Sequence, residues 1–301
     1  MNNKNNNHTG NWLKGIGYEL AFWNNVYRWK HTFEGMINWS HYGKVIQLEG
    51  FDANGFLSSA DNPLVVDVGC GMSYATGNMM GTDEDLQPID LHYVDPLAHY
   101  FNDILRRHHR CLPQIEFGMV EYLSAFYDER KADLIIIQNA LDHSARPVKG
   151  IIEAVSSLRI GGILYLNHHP NEAETEHYKG FHQWNIDEED GVLYIWNKQI
   201  KHSVNDLLGS FADISVLRHD NGHVVAIITK TAEIPVDKLP DTQEDMRELC
   251  QLMMELQHDS SRPWRAMKKK MSYWRYNTIQ FVAQALPWRL KMGVKKLIKQ
   301  A

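Results

Sequence analysis

From Pro63 onward the chain alternates between short apolar runs and longer stretches of helical spacing. LVVDV (64–68), LHYVD (91–95), IEFGMV (115–120), ADLIIIQNA (132–140) and GGILYLN (161–167) have strand length and are apolar almost throughout. Runs of that kind, separated by helices, are expected in a parallel sheet covered on both faces. The spacing predicts helices over 97–107 and 148–158, and a helix starting in the 73–80 region. VLYIW (192–196), a helix over 204–211, and two further strands, ADISVL (212–217) and HVVAIIT (223–229), complete this region. The last two are separated by HDNGH, where Asn221-Gly222 predicts a two-residue hairpin with both residues at positive φ. The expected sheet therefore ends in an antiparallel pair.

The flanks read differently. Residues 1–10, MNNKNNNHTG, are polar and are expected to form a disordered tail without the apolar core of a signal peptide. Residues 11–60 are rich in aromatics, and Leu20, Trp23, Val26 and Tyr27 share one helical face. They predict a helical N-terminal cap that packs on the core or closes over a ligand. Residues 61–235 form the central domain, and 236–301 a helical extension whose first part, 241–257, is acidic and amphipathic. Three cysteines in 301 residues give no disulfide framework and fit a reducing compartment. No apolar run reaches membrane-spanning length, so a cytoplasmic location is expected.

Charge changes the picture of the C-terminus. The net charge is −6, yet residues 262–301 carry 11 Lys and Arg and no Asp or Glu. The rest of the chain holds 20 basic residues against 37 acidic ones. An acidic body of this kind argues against a nucleic-acid partner. The tail interleaves its cations with Trp264, Trp274, Phe281, Trp288, Leu290 and Leu297, and Pro287 divides it. That composition is expected to attach peripherally to an anionic membrane face or to pack against an acidic surface.

The candidate chemistry begins at VVDVGCG (65–71). A glycine-rich turn after a first strand lets a ligand approach bare backbone, and ligands of open α/β sheets sit at the carboxyl ends of the strands. The dinucleotide pattern G-x-G-x-x-G would need glycine at 74, where Tyr74 stands. Asp67, two residues before Gly69, suits a cofactor with a cationic amino-acid portion, which points to S-adenosylmethionine. Asp95 closes the second strand, 24 residues after Gly71, where an acid can accept hydrogen bonds from ribose hydroxyls. Glu121 and Tyr122 follow the third strand, where a polar residue commonly meets an adenine edge and a surface glutamate is the other reading, and Asn139 closes the fourth.

With VVDVGCG, YVDPL, ADLIIIQNALDH, RIGGILYLN and SVLRHDNGHVVAIIT in these places, the chain resembles the class I (Rossmann-like) S-adenosylmethionine-dependent methyltransferases from about residue 63 to 231. Ser73 stands where that family often has a third glycine. The resemblance implies a seven-stranded, mostly parallel sheet with a terminal antiparallel hairpin. It also implies S-adenosylmethionine as cofactor, with Asp67, Gly69, Gly71, Asp95, Glu121 and Asn139 as its contacts.

Methyl transfer to a hydroxyl needs a positioned acceptor and a base. QNALDHSARP after the fourth strand supplies Asp142 and His143; LNHHPNEAETEHYKGFHQWN after the fifth supplies His168, His169, Glu172, His182 and Trp184. His143 and His169 are the expected bases, with Asp142, His182 and Trp184 shaping the acceptor pocket. The His, Trp, Gln and Asn content suits a sugar, glycan or small-metabolite hydroxyl. No metal is expected: the cluster lacks H-x-x-x-H spacing, and His168 and His169 point to opposite faces of a strand. An NAD-dependent oxidoreductase or epimerase, or a non-catalytic scaffold recruiting partners through the tail, are the competing readings.

Overall fold

The computed structural model describes residues 5–235 except 83 and 179, together with 239, 247, 248, 250, 251, 254 and 271. Apart from Met271, the basic tail at 262–301 lies outside the described residues, as does most of the acidic helix expected at 241–257. In chain order the elements are α1 (Asn5–Arg28), α2 (Lys30–Trp39), α3 (Ala53–Ser58), β1 (Leu64–Val68), β2 (Met79–Thr82), β3 (Asp85–Pro88), β4 (Asp90–Asp95), α4 (Ala98–Arg107), β5 (Glu116–Phe117), β6 (Ala132–Gln138), α5 (Pro147–Ser156), β7 (Leu158–His168), α6 (Glu172–Thr175), β8 (Asn185–Glu189), β9 (Val192–Trp196), β10 (Lys201–Ser203), α7 (Val204–Leu208), β11 (Ala212–Arg218) and β12 (Val224–Lys230). Helix α1 starts at Asn5, inside the segment expected to be a tail. Among the described residues no helix is long and apolar enough to cross a membrane.

Seven strands form one sheet in the order β11-β12-β7-β6-β1-β4-β5. The strands β1, β4, β5, β6 and β7 run parallel, and β12 pairs antiparallel with both β7 and β11. Successive strands leave β1 in opposite directions, to β4 on one side and β6 on the other, so the switch point lies at the carboxyl end of β1. Strands β8, β9 and β10 form a separate three-stranded antiparallel sheet.

Alternation along β1 divides its side chains between two cores. Leu64, Val66 and Val68 face the α5 side with Ile151, Ala154 and Val155. Val65 faces the other side, where Leu134, Ile136, Tyr165 and Val225 pack under Ile46, Leu48, Ala53 and Leu57. The N-terminal segment therefore covers one face of the sheet. A third cluster joins Ile16 and Tyr27 of α1 to Phe101, Ile104 and Leu105 of α4.

Three local expectations are corrected. The helix expected from Ser73 does not form; residues 74–78 cross tightly beneath the 41–46 loop and lead into the β2–β3 hairpin. Tyr74 takes φ +48°, a conformation no helix interior accepts. His41 N–H donates to the Tyr74 carbonyl at 2.9 Å, and Ile46 N–H to the Met79 carbonyl at 2.8 Å. Gly77 permits this crossing, since a Cβ there would stand 2.7 Å from the Lys44 and Val45 carbonyl oxygens. The strand expected over 115–120 is only two residues long and turns into a 3-10 segment over Val120–Ala125. The β11–β12 connection is a three-residue loop rather than a two-residue one. His219 N–H bonds to the His223 carbonyl and Gly222 N–H to that of His219. Of Asn221 and Gly222, only Gly222 has positive φ, at +86°, as a type I turn followed by a bulge requires.

Candidate active site

The carboxyl ends of the parallel strands open into one cavity of about 810 Å³. Each strand end contributes to it in turn. After β1 come Gly69, Cys70 and Gly71; after β4, Asp95 and Pro96; after β5, Met119 and Glu121; after β6, Asn139 and His143; after β7, His169 and Glu172.

The glycine loop is shaped by contacts that forbid side chains. Gly69 and Gly71 have φ of +71° and +55°. A Cβ on Gly69 would stand 2.5 Å from the Ala140 methyl, and one on Gly71 would stand 2.8 Å from the Trp23 indole. Helix α1 thus lies directly on the loop, and its Glu19, Phe22 and Trp23 line the cavity. Glu19 Oε1 accepts the Trp23 indole N–H at 2.7 Å. Farther round, the Phe181 ring lies against Gly15 of α1, where a Cβ would come within 2.5 Å.

Asp95 fixes the loop from the other side. Its Oδ2 accepts from Gly71 N–H at 3.1 Å, and its Oδ1 from Leu97 N–H at 2.8 Å. Burial pushes its carboxyl up to about 7, against the lowering effect of those two bonds. Asp67 is also buried and is raised by burial to about 6, but it does not line the cavity; its carboxylate bonds the Thr76 side chain. This differs from the expected direct contact, because the pleat turns position 67 to the N-terminal-segment side of the sheet. Glu121 lines the cavity while its Oε1 accepts from Ala145 N–H at 2.8 Å and Arg146 N–H at 3.2 Å. It therefore anchors the loop ahead of α5. Asn139, at φ +47°, bridges two strand ends: its N–H donates to the Asn167 carbonyl and its Oδ1 accepts from His169 N–H at 2.8 Å.

The histidines fall into two groups. As the strand alternation predicts, His168 is buried and His169 is exposed on the rim. Burial lowers His168 to about 4. The His169 ring meets His223 edge-on, with centroids 4.1 Å apart. In the second group, His182 Nδ1 lies 2.8 Å from Asp142 Oδ2 and 3.2 Å from His143 Nε2. Asp142 is 2% exposed and sits beneath the two rings rather than on the cavity wall. Burial pushes its carboxyl up, but the neighbouring His143 and the bond from His182 outweigh this and hold it at about 2. Burial lowers His182, yet its bond to Asp142 leaves it raised overall.

Trp184, expected in the acceptor pocket, belongs instead to the main core with Ile186, Leu193 and Ile195. It immediately precedes β8, and the small sheet draws it inward. Sequence reasoning missed Glu19, Trp39, Phe181 and His223 as lining residues. The aromatic face containing Trp23 was the one legible signal for the wall that α1 supplies.

No protein-family model matches the chain, and no curated protein matches it. Solved structures do. A 16S rRNA methyltransferase from T. Thermophilus, in complex with AdoMet and guanosine, matches 66% of this chain and 43% of its own at 13% identity and TM-score 0.33. This chain thus spans less than half of that protein. A S-adenosylmethionine-dependent methyltransferase from Clostridium acetobutylicum matches 60% of this chain and 90% of its own at 11% identity and TM-score 0.36. An amino pentose methyltransferase from Micromonospora echinaspora, involved in calicheamicin biosynthesis, matches 60% and 88% at 14% identity and TM-score 0.36. At such scores the fold assignment stands on the sheet itself: its strand order, its switch point and its antiparallel final pair make it the Rossmann-like sheet that the sequence resemblance implies.

Proposed function

We propose that the chain is an S-adenosylmethionine-dependent methyltransferase acting on a hydroxyl of a sugar, glycan or small metabolite. The observation that carries this reading is the charge of the cavity. Among the described residues, Glu19, Asp95, Glu121 and Glu172 line it, and no Lys or Arg does. A dinucleotide brings a pyrophosphate, which is held at the helix N-terminus that follows the glycine loop. Here no helix follows that loop. Tyr74, at the position of the third glycine, is buried and donates its hydroxyl to the Pro113 carbonyl at 2.6 Å. The site suits a ligand that is cationic and lacks phosphate, and S-adenosylmethionine carries a sulfonium and an ammonium. The same charge disfavours a nucleic-acid acceptor.

On this reading Asp95 takes the ribose hydroxyls, Gly69 and Gly71 admit the amino-acid portion, and α1 covers it. Asn139 and Glu121 hold the loops on either side. The cofactor supplies the methyl and its leaving group. The chain aligns the acceptor and receives its proton at His169 or His143, both on the cavity wall. Calorimetric titration tests the reading: S-adenosylmethionine should bind in the micromolar range and NAD should not. Tight NAD binding with no response to S-adenosylmethionine would return the oxidoreductase reading to first place.

The basic tail is proposed as a peripheral membrane anchor on the strength of its sequence alone. The full chain should float with vesicles containing anionic lipid at low salt and stay behind with neutral ones. Failure to float in either case would leave an acidic protein surface as its partner.

A further inference from the structure

Three potential ligand atoms meet at one corner of the cavity. Besides the 2.8 and 3.2 Å separations, His143 Nε2 stands 3.5 Å from Asp142 Oδ2. The triangle is closed by two separate segments: Asp142 and His143 come from the turn after β6, and His182 from the loop before β8. A divalent ion bound tetrahedrally or octahedrally at ordinary lengths spaces its nitrogen and oxygen ligands roughly 3.0 to 3.4 Å apart. The observed edges bracket that range.

Hydrogen bonding serves this triangle unevenly. Imidazole nitrogens carry at most one hydrogen each. If His182 Nδ1–H points at Asp142, it cannot also serve His143 Nε2 with good geometry. If both imidazole nitrogens carry hydrogens and aim at Asp142 Oδ2, His182 reaches it at 2.8 Å but His143 only across 3.5 Å, too far for a good hydrogen bond. One cation satisfies all three atoms together. A second observation points the same way: Asp142 Oδ1 is buried and has no hydrogen-bond partner among the described residues. His143, His182 and Glu172 all line the cavity, so an ion held here would keep an open position toward the acceptor. Three protein ligands plus an open position is the pattern of a catalytic site.

We propose that Asp142, His143 and His182 bind one divalent transition-metal ion of the zinc class. Two imidazoles and one carboxylate suit zinc, cobalt, nickel or iron(II) better than magnesium or calcium. The metal's role rests on the methyltransferase reading. Facing the acceptor, it would draw a hydroxyl oxygen to itself and make its proton easier to remove. His143 then serves as a ligand, and His169 remains to receive the proton. The sequence obscured the site because His182 stands 39 positions from His143 and 40 from Asp142, outside any local spacing rule.

The test uses the full chain, stripped with chelator and then titrated with cobalt(II), followed by its visible absorption, and with zinc(II) in competition with a chromogenic chelator. The expected result is one tightly bound equivalent. His143→Ala and His182→Ala should each weaken binding by at least roughly a hundredfold, with both metal-free variants remaining folded by circular dichroism. His169→Ala should bind metal as the parent does. Uptake weaker than micromolar in the parent, or unchanged affinity in both variants, would overturn the proposal. Should Asp142→Asn fail to fold, the two histidine variants still decide it. The cofactor reading is separable: the stripped protein is titrated with S-adenosylmethionine in parallel. Cofactor binding without metal uptake sinks only the metal site, and the reverse sinks only the methyltransferase reading.

Discussion

Asp95→Ala is expected to lower the affinity for S-adenosylmethionine about a hundredfold. Each carboxylate oxygen of Asp95 already accepts one backbone N–H, from Leu97 and Gly71, and each has a second lone pair for a ribose hydroxyl. Hydrogen bonds to a charged acceptor contribute about 1.5–3 kcal/mol each. Two of them amount to about 3–6 kcal/mol, of which the lower end corresponds to about a hundredfold. The same carboxylate should make binding depend on pH. In the free protein burial holds it near 7, whereas hydroxyl donors favour the ionised form. Affinity should therefore rise with pH up to about 7 and level off above it, with proton release on binding below that value. The stability of the free protein should run the opposite way. A carboxyl raised in the folded state contributes stability that is fully present below its unfolded value of roughly 4. That contribution is lost as pH rises toward 7. Calorimetry from pH 5.5 to 8.5, in buffers of differing ionisation enthalpy, checks both, and Asp95→Asn should flatten the profile. Equal affinity of parent and Asp95→Ala would remove Asp95 from the cofactor site.

The second large effect concerns a residue far from the cavity. Lys230→Met should destabilise the fold by about 2–4 kcal/mol. Lys230 ends β12 and is 0% exposed. Its ammonium donates to the Leu158 carbonyl at 2.8 Å, to the Ser156 carbonyl at 3.4 Å, and to Glu233 Oε2 at 2.7 Å. Ser156 ends α5, so the cation sits at the negative end of a helix and occupies carbonyls that have no partner within it. Methionine fills the space of the stem but leaves two carbonyls unpaired, each at about 1–3 kcal/mol. Glu233 is largely exposed, and its charge is rehydrated at little cost. Urea denaturation measures the difference; a change below about 0.5 kcal/mol would show that solvent reaches these carbonyls.

Much of this architecture could be read from residue pattern alone. Continuous apolar runs marked β1, β4, β6 and β7 because a strand buried on both faces has no polar side to show. Asp95 and the two loop glycines were legible because their chemistry is tied to strand ends. The errors arose where contacts distant in sequence decide local structure. Residues 73–80 follow a first strand, where a helix is the usual continuation, but the 41–46 loop provides backbone partners that hold them in an irregular crossing. Trp184 and Phe181 lie three residues apart in one His-rich stretch; only the small sheet determines that one enters the core and the other lines the cavity. The asparagine-glycine pair located the hairpin correctly and missed its length by one residue.

The missing helix after β1 has a consequence for how the molecule assembles. A sheet face that a neighbouring helix could have covered locally is covered instead from the N-terminus. The Glu49 carbonyl meets the Tyr165 hydroxyl across 116 positions of chain, and Ile46 and Leu57 pack on strands as far away as β12. The apolar surface at 46–57 thus finds partners on strands made more than a hundred residues later. Such non-local pairing slows folding and prolongs exposure of sticky surface, so nascent chains should depend on chaperones until β7 and β12 have emerged.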